Sequence, residues 1–242
     1  MKKALKFTLP LLPVALVAGY FVAAYQMEIL DPAMIGEMAA QLGGTWALTV
    51  ITMVQNLGYT LFCGVLGHML AQKVGLMKPV RMEKKPLLLV LGLSLVFGVL
   101  FSLDYWTFGA LMPELRTGLD AITVNNWLAS VLYGGIVEEL MLRLFFMSLI
   151  AWILQKLLKK QTVGILVTAN VIAALLFAAG HLPATVMTFG GLTPMLLIRC
   201  FLLTGGFGLF FGWTYRKYGI QYAMIAHAGL HIVSKLIWTL FI

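Results

Sequence analysis

The fold of this chain is decided by the stretch 163–181, which reads VGILVTANVIAALLFAAGH and holds no acidic or basic residue before its final histidine. A helix needs about 20 such residues to cross the hydrocarbon core of a bilayer. The whole chain has the same character, because 61% of its 242 residues are hydrophobic and only 11% are charged. Soluble domains are roughly half apolar and a quarter charged. The composition therefore predicts an all-α integral membrane protein.

Six further stretches are long and apolar enough to span a bilayer. Together with the first, the predicted spans are 7–26, 46–71, 87–103, 127–154, 163–181, 195–214 and 219–241. We therefore predict a polytopic transmembrane helical bundle of about seven spans, which forms a single domain over residues 1–242. The segment 105–126 is interrupted by Gly109 and Pro113, and a re-entrant or interfacial segment stays open there.

The N-terminal segment allows two interpretations. Three lysines before an apolar run, with a cleavage site at 22–24, resemble a signal peptide. We favour a retained first helix, because the stretch from Leu9 to Tyr25 is about long enough to cross the membrane.

The loop charges test this topology independently. Basic residues gather on one set of alternating loops: Lys2, Lys3, Lys6, Lys73, Lys78, Arg81, Lys84, Lys85, Lys156, Lys159, Lys160, Arg216 and Lys217. The opposite loops carry Arg116 and these acidic residues: Glu28, Asp31, Glu37, Asp104, Glu114 and Asp120. Basic loops face the cytoplasm, so we predict a cytoplasmic N-terminus in the plasma membrane of a prokaryote. The same rule explains the net charge of +8. We therefore predict the lipid bilayer as a partner and no nucleic acid.

Several ionisable residues remain at membrane depth once the loops are assigned. They are Glu138, Glu139, Arg143, His181, Arg199, His227, His231 and Lys235. A charge near the bilayer centre costs at least ~2.5–3.5 kcal/mol on insertion scales, so such residues face the bundle interior and mark functional sites. His68, near the inner end of the second span, is predicted to be interfacial. Cys63 and Cys200 show no metal-ligand spacing and are assigned no function.

The fourth predicted span carries two adjacent glutamates. Glu139 and Arg143 are four residues apart with the acid first, which is the favourable order for a helical ion pair. A buried ion-pair network explains these two residues as well as a catalytic role does. Glu138 points about 100° away around the helix. A second adjacent carboxylate is hard to explain by packing, so Glu138 is the stronger functional candidate.

Three of the four histidines of the chain also lie deep in the predicted spans. His227 and His231 share a helix face, and the small residues Ala228 and Gly229 beside them let another helix approach closely. A deep carboxylate can act as a general base, and a neighbouring histidine can shuttle its proton. Further imidazoles can donate hydrogen bonds to an oxyanion. These are the groups needed to hydrolyse an amide with an activated water.

The remaining membrane charges receive simpler interpretations. Arg199 is predicted to pair with Glu138 or Glu139, or to extend outward. Lys235 is predicted to extend its ammonium group to the interface. The predicted depths of His181 and His227 differ, so a helix must be longer than expected, tilted or broken for both to reach one site.

The motifs at these positions resemble those of the CPBP family of intramembrane proteases, the CAAX protease and bacteriocin-processing group, also called the Abi family. The matching motifs are Glu138-Glu139-Leu140-Met141-Leu142-Arg143, Phe177-Ala178-Ala179-Gly180-His181 and His227, preceded by a family-like stretch at 208–215. The resemblance covers roughly residues 127–235. We therefore interpret 127–242 as a catalytic core of this type and 1–126 as N-terminal spans without motifs.

The resemblance implies an intramembrane endopeptidase that hydrolyses a peptide or membrane-protein substrate without a cofactor. The implied catalytic residues are Glu138, His181, His227 and His231, and the implied site-shaping residues are Glu139, Arg143 and Phe177. Glu138 would activate water with His181 as its partner, and His227 would stabilise the oxyanion. The family usually has asparagine or aspartate where this chain has His231, and a neutral imidazole can also donate a hydrogen bond.

Three alternatives stay open. His181, His227 and His231 with a glutamate could form a tetrahedral zinc site, although the chain lacks the His-Glu-x-x-His pattern. The chain could be a non-catalytic membrane scaffold or a bacteriocin-immunity partner, in which the charged cluster is structural. A proton-coupled transporter is less favoured, because no repeated pair of broken helices is present. For a peptidase, a prenylated CAAX protein, a bacteriocin leader and a signalling peptide are all open as substrates.

Overall fold

The structure is a computed structural model, and it describes residues 1–120 and 122–242 without the side chains of 117–120. Asp120, one of the predicted outer charges, therefore lies outside the described side chains. Within the described ranges the chain forms ten helices. They are α1 (Lys2–Ile29), α2 (Pro32–Leu42), α3 (Thr45–Lys73), α4 (Lys84–Ser102), α5 (Phe108–Leu111), α6 (Pro113–Asp120), α7 (124–158), α8 (Val163–Phe189), α9 (Pro194–Tyr218) and α10 (Ile220–Phe241). The all-α prediction is confirmed.

Six helices in the described part of the chain are long and apolar enough to cross a membrane: α1, α3, α4, α8, α9 and α10. They correspond to six of the seven predicted spans. The remaining predicted span, 127–154, lies within α7. The α-helical ends of α7 flank π-helical segments at Ala129–Glu138 and Leu140–Met147. Large apolar side chains face outward at helical spacing, as Leu88, Leu95 and Val99 do on α4. The side of the membrane that each end faces stays a prediction.

Three segments go beyond the sequence-based expectation. The chain before the second span forms the additional helix α2, whose N-cap Asp31 accepts a hydrogen bond from the Ala33 amide at 2.7 Å. The segment 105–126 contains the short helices α5 and α6. The helix predicted to end at His181 continues to Phe189 through Pro183. A proline removes one backbone hydrogen bond, and neighbouring helices make this tolerable in a membrane.

Helix α7 lies in the middle of the bundle and contacts α1, α3, α8 and α10. It approaches α10 closely, because a Cβ atom on Gly135 would lie 2.8 Å from the Ala228 Cβ. On a second face of α10, a Cβ atom on Gly229 would lie 2.9 Å from the Ser94 Cβ of α4. The predicted role of small residues in helix approach is confirmed. This packing holds the histidines of α10 against the glutamates of α7.

Candidate active site

The predicted site residues come from three helices that meet inside the bundle. Glu138, Glu139 and Arg143 lie on α7, Phe177 and His181 on α8, and His227 and His231 on α10. The extended length of α8 removes the depth mismatch, because His181 lies well before the end of that helix. The structure thus brings all seven predicted residues into one neighbourhood.

Glu139 is fully buried and held by two partners. Its Oε1 accepts a hydrogen bond from His227 Nδ1 at 2.9 Å and lies 3.5 Å from Arg143 Nη1. Arg143 is buried as well, and its Nη2 donates to the Gly208 carbonyl oxygen at 3.0 Å. The guanidinium lies over the Phe177 ring, 4.6 Å from the centroid. The predicted ion pair within the helix is confirmed, and it also fixes the orientation of His227.

Glu138 has a different setting, with a side chain that is 13% exposed. Its Oε1 lies 3.9 Å from His181 Nε2, and its Oε2 lies 3.9 Å from His227 Nε2. These distances are too long for direct hydrogen bonds, and they suit a water or a substrate atom that bridges the two groups. A carboxylate placed between two imidazoles in this way can accept a proton.

His227 and His231 form a pair whose Nε2 atoms lie 3.2 Å apart. One N–H must therefore lie between the two rings. Because His227 Nδ1 donates to Glu139, a neutral His227 leaves its Nε2 as the acceptor, and His231 is then the donor. The His227 ring stacks on Phe211 at 4.2 Å between centroids. Gly134 leaves space for the pair, since a Cβ atom there would lie 3.3 Å from His231 Nε2.

His181 is oriented by its own helix. Its Nδ1 lies 2.9 Å from the Phe177 carbonyl oxygen, so Nδ1 carries the proton and Nε2 can accept one. The ring packs edge-on against the Phe177 ring at 4.8 Å. With 40% of its side chain exposed, His181 is more accessible than Glu138, at 13%, and His227, at 3%.

Two cavities meet at Glu138 and His181. One has a volume of about 210 Å³, and its polar lining includes His227, His231 and Arg199. The other has a volume of about 310 Å³. Its walls are mainly apolar, with side chains from Met141, Leu142, Phe146 and Leu176. The carboxylate of Glu138 is thus accessible from a cavity with both polar and apolar walls and from a mainly apolar one.

Two of the sequence-based placements are wrong. Arg199 pairs with neither glutamate of α7, because its Nε donates to Asp104 Oδ1 at 2.9 Å, and Asp104 is buried in the turn that follows α4. Lys235 does not extend to the interface, because it is buried and its Nζ contacts Asn126 Oδ1. In both cases, a partner inside the bundle replaces the expected contact. His68 is buried among its neighbours, and its predicted depth near the interface stays a prediction.

Two contributors to the site were not predicted. Phe211 stacks on His227, and the Gly208 carbonyl accepts a hydrogen bond from Arg143. The sequence does contain a signal for this part of α9, since Gly208 and Gly212 have the small-x-x-x-small spacing of close helix contacts. That spacing indicates proximity of helices but does not identify the partner.

The zinc alternative needs His181 beside His227 and His231. Among the described residues, no group of three or more His, Cys, Asp or Glu side chains is arranged to hold a metal ion. His227 also directs its Nδ1 to Glu139 rather than to a shared centre. The geometry therefore supplies no ligand set for that alternative.

Membrane-spanning helices around a carboxylate and three imidazoles define a polytopic membrane protein with a polar centre suited to hydrolysis. Residues 120–233 match the family model described as Type II CAAX prenyl endopeptidase Rce1-like. The chain therefore carries a domain of this protease family, and the family resemblance inferred from its motifs is confirmed. No curated protein and no solved structure matches the chain.

Proposed function

We propose that this protein is an intramembrane endopeptidase that cleaves a peptide or membrane-protein substrate with a water activated by Glu138. The observation that carries the proposal is the position of Glu138 between His181 Nε2 and His227 Nε2, each at 3.9 Å, where two cavities meet. Glu139 is unsuited to this role, because its Oε1 is bound to His227 and Arg143.

The reaction begins when Glu138 takes a proton from the water and the hydroxide oxygen bonds to the scissile carbonyl carbon. Negative charge develops on the carbonyl oxygen, and an imidazole N–H stabilises it. In the neutral arrangement of the histidine pair, the N–H of His231 Nε2 is directed to His227 Nε2 at 3.2 Å, and it would turn to the carbonyl oxygen as the negative charge develops. The protonated Glu138 then gives its proton to the amide nitrogen as the C–N bond breaks, which leaves a carboxylic acid and an amine. His181 Nε2 accepts a hydrogen bond from the water and orients it.

The two cavities favour a substrate with two unlike parts. The cavity that contains the histidines has polar groups in its wall, which suit the peptide backbone around the scissile bond. The apolar cavity beside Met141 and Leu176 suits a hydrocarbon group on a neighbouring residue. The description of the family refers to CAAX prenyl endopeptidases, so a prenylated CAAX peptide is the first substrate to test.

The test uses the full chain in lipid nanodiscs with a farnesylated CAAX peptide and its unprenylated copy. We expect cleavage of the farnesylated peptide and a loss of rate of about 10²–10⁴-fold in Glu138→Ala, His181→Ala and His227→Ala. Glu37→Ala is the matched control, because Glu37 is an exposed glutamate on α2. Full cleavage by folded Glu138→Ala protein would overturn the assignment.

A second assay separates the enzyme from a scaffold. Membranes of cells that produce the wild-type chain or Glu138→Ala are compared by proteomics, and we expect a substrate to accumulate uncleaved with the variant. If the cellular function survives the simultaneous replacement of Glu138, His181 and His227, the non-catalytic scaffold is the better account. A leader peptide or signalling peptide that accumulates instead of a prenylated protein would redefine the substrate.

A further inference from the structure

A large cavity lies at the end of the bundle where α1 begins and α3 ends, away from the candidate active site. Its volume is about 800 Å³, and its walls come from α1, the end of α3, the following loop and the start of α10. Three lysines line it, namely Lys3, Lys6 and Lys78. Apolar side chains form much of the remaining wall: Phe7, Leu11, Met77, Val80, Ile220 and Met224. The cavity therefore combines positive charge with a hydrocarbon surface.

Two buried side chains add polar atoms without partners to this cavity. His68 is 5% exposed, and its Nδ1 has no hydrogen-bond partner within the described chain. Gln221 is 7% exposed, and its Nε2 donates to the Arg81 carbonyl oxygen at 3.1 Å. The Oε1 of Gln221 is unpaired among the described residues. Buried polar atoms are nearly always paired, so these two indicate a polar ligand.

We propose that this cavity binds an anionic glycerophospholipid. The phosphate would interact with the three lysines and accept a hydrogen bond from the His68 imidazole, and an acyl chain would cover the apolar wall. A headgroup hydroxyl, as in phosphatidylglycerol, would donate to Gln221 Oε1. Lys78 already donates to the Lys217 carbonyl oxygen at 2.5 Å, and an ammonium group has two further N–H donors for the phosphate.

Positive charge alone does not identify the first cavity as the lipid site, since the same end of the bundle has a second basic cavity. That cavity has a volume of about 500 Å³ and lies near the same end of α3, because Gln72 lines one cavity and Lys73 the other. Its basic residues are Lys73, Lys156, Lys159 and Lys160. None of its described lining side chains has a buried polar atom without a partner. It therefore provides a matched control for charge.

The experiment measures lipid binding to the full chain by native mass spectrometry, with phosphatidylglycerol and phosphatidylcholine as probes. We expect preference for phosphatidylglycerol in the wild-type chain. Each lysine near an anionic headgroup changes affinity about fivefold, so K3Q/K6Q/K78Q should weaken phosphatidylglycerol binding about a hundredfold. The control K156Q/K159Q/K160Q should retain the wild-type affinity, and K3R/K6R/K78R should retain it because the charge is kept.

Equal losses in the two triple glutamine variants would overturn the proposal, since general surface charge would then hold the lipid. Displacement of phosphatidylglycerol by millimolar inorganic phosphate would also overturn it, since the site would then select phosphate alone. A further variant, Leu11→Trp, fills apolar space without changing charge and should weaken lipid binding. Because no step measures peptide cleavage, the outcome is independent of the proposed peptidase activity.

Discussion

Glu138 and Glu139 are neighbours on α7, yet they lie in opposite surroundings. Glu139 is fully buried, with Arg143 at 3.5 Å and a hydrogen bond from His227 at 2.9 Å. Glu138 is partly exposed at the junction of two cavities and lies 3.9 Å from each of two imidazoles. A carboxylate with fixed partners stabilises and orients its neighbours, whereas one without them can take a proton. Glu139 is therefore suited to a supporting role, and Glu138 is suited to proton transfer.

The backbone of α7 contributes to this division. Glu139 lies at the junction of two π-helical segments, Ala129–Glu138 and Leu140–Met147. Such segments are rare, and they occur frequently at functional sites. The helix directs consecutive side chains to different directions around its axis, so one glutamate reaches the ion pair while the other reaches the cavities.

The largest expected effect separates the two glutamates by activity. Glu138→Gln should reduce the cleavage rate by about 10²–10⁴-fold, because an amide cannot take the proton from water. Its thermal midpoint should stay close to that of the wild-type chain, because among the described residues the nearest basic groups lie 3.9 Å from Glu138, too far for a direct hydrogen bond. Cleavage rates and thermal unfolding are measured on the same preparation. A midpoint that falls as far as in a Glu139 variant would contradict the division of roles.

Glu139→Ala should destabilise the fold by about 3–5 kcal/mol, because it leaves Arg143 as a buried charge without its carboxylate. The loss is measured by equilibrium unfolding in mixed micelles. The double variant Glu139→Ala/Arg143→Met removes both charges and should recover most of the lost stability. If the double variant is as unstable as the single one, burial of an unpaired charge is not the cause.

Substitutions of His231 test whether its N–H stabilises the oxyanion. His231→Ala should lower kcat about 10²-fold with little change in KM, because the donor acts mainly in the transition state. His231→Asn should keep most of the activity, since an amide N–H can donate in its place. Equal losses of kcat in the two variants would indicate that His231 has a role other than donation.

Breaking the ion pair of Asp104 and Arg199 should destabilise the fold less than breaking the pair of Glu139 and Arg143. Asp104→Asn leaves Arg199 without its carboxylate, but the Arg199 side chain is 21% exposed and can be partly hydrated. We expect a loss of about 1–2 kcal/mol in unfolding free energy, below the range for a fully buried pair. Denaturant unfolding of Asp104→Asn beside Glu139→Ala checks this order.

The smallest effect is expected from metal removal. Treatment with a chelator should leave the cleavage rate unchanged, because the proposed base acts on water without a metal ion. The rate is measured before and after dialysis against the chelator. Loss of activity that zinc restores would favour the metal alternative over the glutamate mechanism.

The sequence predicts much of the fold because a helix that spans a bilayer must be long and apolar. Such apolar segments can be recognised directly in the sequence. It also predicts contacts within one helix, such as Glu139 with Arg143 and His227 with His231, from a spacing of four. Contacts between helices are harder to predict. The hydrogen bond from His227 to Glu139 depends on the rotation of α7 relative to α10. Residue spacing along either helix does not define that rotation.

The same limit explains the error at Arg199. Its partner Asp104 is distant in sequence and lies at the end of a span, where an acidic residue is equally expected in an outer loop. The burial of Lys235 could not be predicted either, because its partner Asn126 carries no charge that would identify it. Partners that belong to different segments are identified only once the bundle is assembled.

The two buried ion pairs also differ in when they can form during synthesis. Glu139 and Arg143 lie one turn apart, so they can neutralise each other as soon as α7 is helical and before other helices arrive. Asp104 and Arg199 belong to distant segments and can meet only after α9 has been made. Helix α7 can therefore enter the bilayer with Glu139 and Arg143 already paired, whereas Arg199 of α9 depends on a partner from a segment made earlier.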